Sequence, residues 1–182
     1  LLREDHNFTV SVRMGEVETL KQSVSRNFLL RVYSGKRMAM STTSDFSQSA
    51  VQQLVDETIA MARITSEDES GGLPDAALFS DRNLDLDLFD PTWETISPKE
   101  RIEMAIRAER ASLTSDPRIV NSEGGGFDYS LSRTVLGNSS GFFGSYEGTG
   151  ASVSASPVAQ ATSGMQRDFW MSAARHVSRL DT

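Results

Sequence analysis

Residues Gly137-Asn138-Ser139-Ser140-Gly141 read GNSSG, the G-x-S-x-G frame that carries the nucleophilic serine of many hydrolases. Asp168 and His176 follow in the chain order that such enzymes use. What leaves this stretch decides the fold. A nucleophile elbow needs a strand entering and a helix leaving, so that the serine stands at a helix N-terminus. Here Phe142-Phe143-Gly144-Ser145-Tyr146 follows, which is strand-like and broken by glycine. His176 also comes only 37 positions after Ser139, too few for the sheet and helix that usually return the histidine to such a serine. GNSSG therefore reads as a turn between two strands, with Asn138 and Gly141 suited to left-handed backbone.

Outward from that turn the chain is β-rich on both sides. After Pro117 the composition shifts to Gly, Ser and Thr, with Phe127, Tyr129 and Leu131 alternating. The segments RIVNSEGGGFDYSLSRTVL, FFGSYEG, ASVSASPVAQA and MQRDFWMSA read as four strands of an antiparallel sheet. Near the N-terminus Phe8, Val10 and Val12 alternate with polar residues, as a strand with one buried face does. After Gly15, EVETLKQSVS is a second alternating run, and NFLLRVY with RMAMSTT flanks Ser34-Gly35-Lys36 as a hairpin.

Two helices interrupt the strands. Val51, Leu54, Val55, Ile59 and Ala62 form one apolar stripe from Ser47 onward, expected to lie across the N-terminal strands. Ser97-Pro98-Lys99-Glu100 is a capping box with proline in the first turn, and that helix runs to about Thr114, before Asp116-Pro117. Ile102, Ala105, Ile106 and Leu113 form its stripe, and Glu109 shares that face, where pairing with Arg110 or Arg107 is the expectation. The fold class is α+β: an antiparallel sheet packed with two amphipathic helices, then a Gly/Ser-rich antiparallel region. The expected division is an N-terminal α+β domain over 1–116 and a β-rich segment over 117–182 that continues into a C-terminal domain outside the chain. The first residue is not Met and the last residues show no stop signal, so a part of a longer protein is expected.

Composition narrows the function. Against 25 acidic residues stand 18 basic ones, a net charge of −7, with no Lys/Arg block to neutralise phosphates, so direct nucleic-acid contact is not expected. No apolar run is long enough for a membrane span, the charged N-terminus is no signal peptide, and a cytoplasmic protein is the expectation. With no cysteine and two histidines, His6 and His176, the chain has neither thiolates nor an H-E-x-x-H pair for zinc. Asp81, Asp85, Asp87 and Asp90 resemble a calcium loop, but its glycine is missing and Thr92 stands where the bidentate Glu belongs. Gly124-Gly125-Gly126 lacks the third glycine of a dinucleotide loop, because Tyr129 occupies it. Phe169 and Trp170 read as core aromatics of a strand. No catalytic or metal-binding constellation is assigned.

Taken in order, RMGEVETLKQS, the Gly35 hairpin, ARITSEDESGGLPDA, LDLFDP, DPRIVNSEGGGFDYS, GNSSGFFGSYEGT and MQRDFW resemble the N-terminal part of the TldD/PmbA family. The match is nearer to its PmbA branch, also called TldE and long described as a modulator of DNA gyrase. The resemblance implies a cytoplasmic metalloprotease of TldD-type and TldE-type subunits, dimerised around an internal channel. It also implies action on unfolded peptides, in maturation of peptide antibiotics and degradation of an antitoxin. In the TldD branch an HExxxH helix supplies two zinc-ligating histidines and a general-base glutamate. No position here matches it, so no catalytic residue and no metal ligand carries over, no cofactor is expected in this chain, and zinc is expected in the TldD-type partner. The expected partners are a TldD-like subunit or a second copy, and an unfolded peptide. A purely structural assembly domain, or a regulator of gyrase, is the alternative. The expected peptide or partner surface is Gly124, Gly125, Gly126, Asn138, Ser139, Gly141, Phe142, Phe143 and Tyr146, because a glycine-rich sheet can offer backbone to an extended peptide.

Overall fold

The computed structural model describes residues 1–79 and 84–181. Its strands are β1 (Leu2–Arg13), β2 (Glu16–Ser34), β3 (Arg37–Thr43), β4 (Ile119–Gly137), β5 (Phe143–Ala161), β6 (Gly164–Arg167) and β7 (Trp170–Ala174). The helices are α1 (Gln48–Ile64), the single turn α2 (Thr92–Thr95) and α3 (Pro98–Thr114). The strands form one sheet in the order β3-β2-β1-β4-β5-β6, and β7 also pairs with β5. Both β6, at Val158–Ala161, and β7, at Ala151–Ala155, run antiparallel to β5. The α+β expectation holds.

The strand count differs from the sequence reading in an instructive way. FFGSYEG and ASVSASPVAQA are one strand, β5, because Gly148 and Gly150 continue the extended backbone instead of ending it. MQRDFWMSA is two strands, divided at Asp168, whose Oδ1 accepts the Phe169 N–H at 2.8 Å. EVETLKQSVS and NFLLRVY are likewise continuous as β2.

The residues cluster into two compact units. One comprises Leu1–Asp5, Ser25–Asp85 and Arg133–Tyr146. In it β2 pairs with β3 from Phe28↔Thr43 to Ser34↔Arg37, and Gly35 takes a φ of +62° at the hairpin. Helix α1 packs against β3. Ser47 caps it by accepting from the Ala50 N–H, and Leu54, Thr58 and Ala62 are its buried residues. Thr58 is tolerated in that stripe because its hydroxyl donates back to the Leu54 carbonyl at 2.5 Å.

The second unit comprises His6–Val24, Leu86–Ser132 and Glu147–Thr182 and holds the larger core. Alternate residues of three strands point into it: Phe8, Val10 and Val12 from β1, Phe127, Tyr129 and Leu131 from β4, Ala151, Val153 and Ala155 from β5. Helix α3 covers this face through Ala105 and Ala108, and α2 inserts Trp93. The capping box is present in full: Ser97 Oγ accepts from the Glu100 N–H, and Glu100 Oε2 accepts from the Ser97 N–H at 2.7 Å. The Arg101 guanidinium lies 4.3 Å from the Tyr129 ring centroid and 5.3 Å from that of Phe8, and Nη2 donates to the Trp93 carbonyl.

The glycine triplet explains how α3 approaches so closely. A Cβ on Gly125 would sit 2.6 Å from the Ala105 carbonyl oxygen and 3.0 Å from Glu109 Cβ, so the helix rests on bare β4 backbone. One turn further on, Glu109 is 1% exposed, and its carboxylate accepts from the Met14 N–H at 2.9 Å and the Gly15 N–H at 2.8 Å. Both residues have positive φ, +50° and +82°, in the two-residue loop joining β1 to β2. The expected arginine partner is thus replaced by the two amides of a hairpin loop.

Candidate functional site

The face of the second unit's sheet that points away from α3 is lined by short polar side chains. Strand alternation puts Asn7 and Thr9 of β1, Asp128 and Ser130 of β4, and Gly150 and Ser152 of β5 on it. Together with Ala173 and Arg175 at the end of β7 they line a groove of about 510 Å³. Thr9 Oγ1 donates to Asp128 Oδ1 at 2.8 Å, which fixes one carboxylate within the groove. Arg175 brings the opposite charge to the same lining. Hydroxyls, an amide, a carboxylate and a guanidinium, mostly on short side chains, can hydrogen-bond an extended main chain with little regard to its sequence.

The rim at Arg175 is held from behind. Its carbonyl accepts from the Trp93 indole N–H at 2.7 Å and from Thr149 Oγ1 at 3.1 Å. Thr149 Oγ1 also accepts from the Asp90 N–H at 2.9 Å, and Asp90 in turn accepts from the Thr92 N–H at 2.9 Å and the Val177 N–H at 2.8 Å. His176 stands beside this node, with Nε2 2.9 Å from Asp87 Oδ1 and Nδ1 3.8 Å from Asp90 Oδ2. Asp87 adopts a φ of +51°, and Arg179 Nη2 lies 3.6 Å from its Oδ2.

Asp90 has its pKa lowered, first by the hydrogen bond from the Thr92 side chain, against the opposing effect of burial, with help from the Val177 and Thr92 N–H groups and the His176 charge. A depressed folded-state pKa contributes stability above the unfolded value of 3.8, and this is lost as pH falls through the folded value. Asp90→Asn is expected to lose less thermal stability than the unsubstituted protein between about pH 5 and about pH 3. Differential scanning calorimetry across that range checks it, and parallel curves would contradict it.

Asn138 Oδ1 accepts from the Ser140 and Phe142 N–H groups, each at 3.0 Å, the Asn138 N–H donates to the Phe142 carbonyl, and Gly141 has φ +90°. GNSSG is thus the self-bonded turn between β4 and β5, with Ser139 exposed on it. Phe142 is half-buried, edge-on to Phe79 at 5.3 Å, whereas Phe143 and Tyr146 are 62% and 55% exposed. Gly124 and Gly126 flank Gly125 in β4, and a Cβ on either would meet Val12 O at 2.6 Å or Ser154 Oγ at 2.8 Å. Phe169 and Trp170, expected in the core, are exposed instead and line an apolar groove of about 280 Å³ with Ala108, Ala111 and Pro157. Asp81 of the aspartate run lies outside the described residues. The polar groove is not legible in the sequence, because its residues are the outward half of an ordinary alternation, and neither is the role of Trp93, which sits in a helix too short to show a period.

A profile described as "PmbA/TldA metallopeptidase central domain" matches residues 91–181, and one described as "PmbA/TldA metallopeptidase domain 1" matches residues 1–62. The chain belongs to the PmbA/TldD family. It is 37% identical to the metalloprotease PmbA of Escherichia coli O157:H7 over 96% of this chain and 38% of that protein. To the PmbA homologue of Haemophilus influenzae it is 31% identical, over 96% of this chain and 38% of that protein. The chain therefore spans well under half the length of these PmbA relatives. Among solved structures, a protein of Bacteroides thetaiotaomicron described as a modulator of DNA gyrase superposes with a TM-score of 0.88 at 21% identity, over 99% of this chain and 41% of that one. TldE from Thermococcus kodakarensis gives 0.79 at 19% identity, over 96% and 39%. These two likenesses establish the PmbA/TldD fold of the chain.

The matching profiles describe a family of metallopeptidases. Among the described residues no three His, Cys, Asp or Glu side chains converge to hold a metal ion. Among the described residues, too, no helix is long and apolar enough to cross a membrane.

Proposed function

We propose that this chain is the N-terminal part of a TldE/PmbA-like, non-catalytic subunit of a TldD/TldE-type zinc metalloprotease, and that it binds unfolded peptide while a TldD-type partner supplies zinc and the hydrolytic chemistry. The groove of about 510 Å³ on the open sheet face is the observation that carries this reading. Its lining of Ser, Thr, Asn and Gly suits a main chain whose side chains vary, as a processing enzyme for unfolded peptides requires. Family membership and the 37% identity to a metalloprotease support the protease context. The acidic balance of the chain argues against gyrase regulation through DNA contact.

The exposed Phe143 and Tyr146 suit the partner surface. Phe142 is the poorer probe, since its ring packs on Phe79 and its loss would disturb the turn itself. Two variants of the full-length protein separate the roles. Ser152→Arg, which fills the groove, is expected to raise the Kd for fluorescein-labelled casein by about tenfold in fluorescence anisotropy, with association to the TldD-type subunit unchanged. Phe143→Ala is expected to do the reverse. Peptide binding unaffected by Ser152→Arg would remove the groove from the proposal.

A further inference from the structure

Among the described residues the polar groove is lined by one cation, Arg175, whose guanidinium makes no hydrogen bond and no ion pair with any of them. The neighbouring Arg179, by contrast, stands against Asp87 at 3.6 Å. The main chain at Arg175 is nevertheless fixed, since the Trp93 indole and the Thr149 hydroxyl both donate to its carbonyl. The free charge is therefore presented from a set position on the sheet.

The register of the strands shows what lies beside it. Ala174 pairs with Ala151 and Ala173 with Ser152, so Gly150 is the β5 residue next to Arg175. On the far side of Gly150 stands Ser130 of β4, because a Cβ on Gly150 would lie 3.6 Å from Ser130 Oγ. The Ser130 hydroxyl likewise has no partner among the described residues. A hydroxyl and a guanidinium thus flank a position without a side chain, across two strand spacings, about 9–10 Å between their backbones. All three residues belong to the second unit. A carboxylate laid over Gly150 fills this gap, with the guanidinium forked on its two oxygens and the hydroxyl donating to one of them. Asp128, the acid of the same lining, is about 7 Å from Ser130 along β4 and already accepts from Thr9. Its charge repels an anion from that part of the groove and leaves the row at Arg175 as the place for one.

We propose that Ser130, Gly150 and Arg175 form a carboxylate subsite of the groove, which selects peptides that carry a carboxylate over neutral ones. The inference rests on the reading of this groove as a peptide site and names the substrate class it takes. A free C-terminus and an Asp or Glu side chain are the two sources of that group.

The test uses the full-length protein and unlabelled N-acetylated peptides of Gly, Ser and Ala, competing with fluorescein-labelled casein in fluorescence anisotropy. One peptide ends in a free carboxylate, one in a carboxamide, and one in a carboxamide with an internal Asp. The free acid is expected to bind about tenfold more tightly than the carboxamide, as a charge-assisted hydrogen-bonded pair does. In Arg175→Gln that ratio is expected to fall to about one, while Arg175→Lys, which keeps the charge and loses the fork, retains about threefold. Ser130→Ala is expected to lower the ratio by about twofold. Each variant is judged on its own ratio, so a general loss of affinity does not imitate the effect. An internal Asp that restores tight binding to the carboxamide identifies a side chain as the source, and an advantage confined to the free acid identifies the C-terminus. Equal binding of acid, Asp peptide and neutral carboxamide overturns the proposal, as does a preference that survives Arg175→Gln. Casein binding that Ser152→Arg leaves unaffected counts instead against the groove as the peptide site. Binding that Ser152→Arg weakens, without any preference for carboxylate, removes only this subsite.

Discussion

Trp93→Ala is expected to cost about 3–5 kcal/mol of stability, the range for truncating a large aromatic in a packed core. Trp93 is fully buried, with its ring 6.0 Å from Phe127 and 5.7 Å from Tyr129, centroid to centroid. Its removal opens a cavity beneath the α2–α3 corner and strips the Arg175 carbonyl of its 2.7 Å indole donor. Trp93→Phe keeps most of the volume and loses only that donor. Since Thr149 Oγ1 still donates to the Arg175 carbonyl at 3.1 Å, this variant is expected to cost no more than about 1–2 kcal/mol. Urea unfolding of the two variants beside the unsubstituted protein distinguishes them. Equal losses would mean that the hydrogen bond, and not the packing, dominates at this site. Because Arg175 lines the polar groove, Trp93→Ala is also expected to weaken peptide binding under conditions where the variant remains folded.

The second large effect belongs to Glu109. Removing its carboxylate in Glu109→Ala leaves the Met14 and Gly15 N–H groups without acceptors in a buried place, at about 1–3 kcal/mol for each. A loss of about 2–6 kcal/mol is expected for the two amides together. Glu109→Gln retains one acceptor oxygen and presents an NH₂ to the other amide, so it is expected to recover less than half of that loss. Hydrogen exchange gives the local readout: the Met14 and Gly15 amides should exchange much faster in Glu109→Ala. Protection that stays unchanged in the variant would mean that the loop amides do not depend on this carboxylate. Its hydrogen bonds to the two loop amides account for the burial of Glu109.

How much of this was legible depended on whether a feature is local. The capping box at Ser97-Pro98-Lys99-Glu100 and the hairpin at Gly35 are written in adjacent residues, and both stand where the sequence places them. GNSSG was decided by its neighbours, because Phe142 and Phe143 exclude the helix that an elbow requires. Strand ends were harder to read. Along Glu16–Asn27 no face is buried, so the alternation of EVETLKQSVS does not show that it continues into NFLLRVY as one strand, and the glycines of β5 look like breaks although they lie within the extended backbone. The reason for Gly125 is tertiary: only the carbonyl of Ala105, 20 positions earlier in sequence, shows why no side chain fits. The partners of Glu109 were hidden for the same reason, since a loop 94 residues away supplies them. The exposure of Phe169 and Trp170 likewise follows from where β6 ends and β7 begins, which a run of apolar letters does not reveal.

The measurement that bears most directly on the central claim is native mass spectrometry of the full-length protein, alone and co-expressed with a TldD-type subunit, reading assembly mass and bound zinc together. The expected result is a zinc-free protein alone and zinc appearing only in the mixed assembly, one ion for each TldD-type subunit. Zinc bound by the protein alone would place a metal site in its own sequence, and would contradict the assignment of this chain to a non-catalytic subunit.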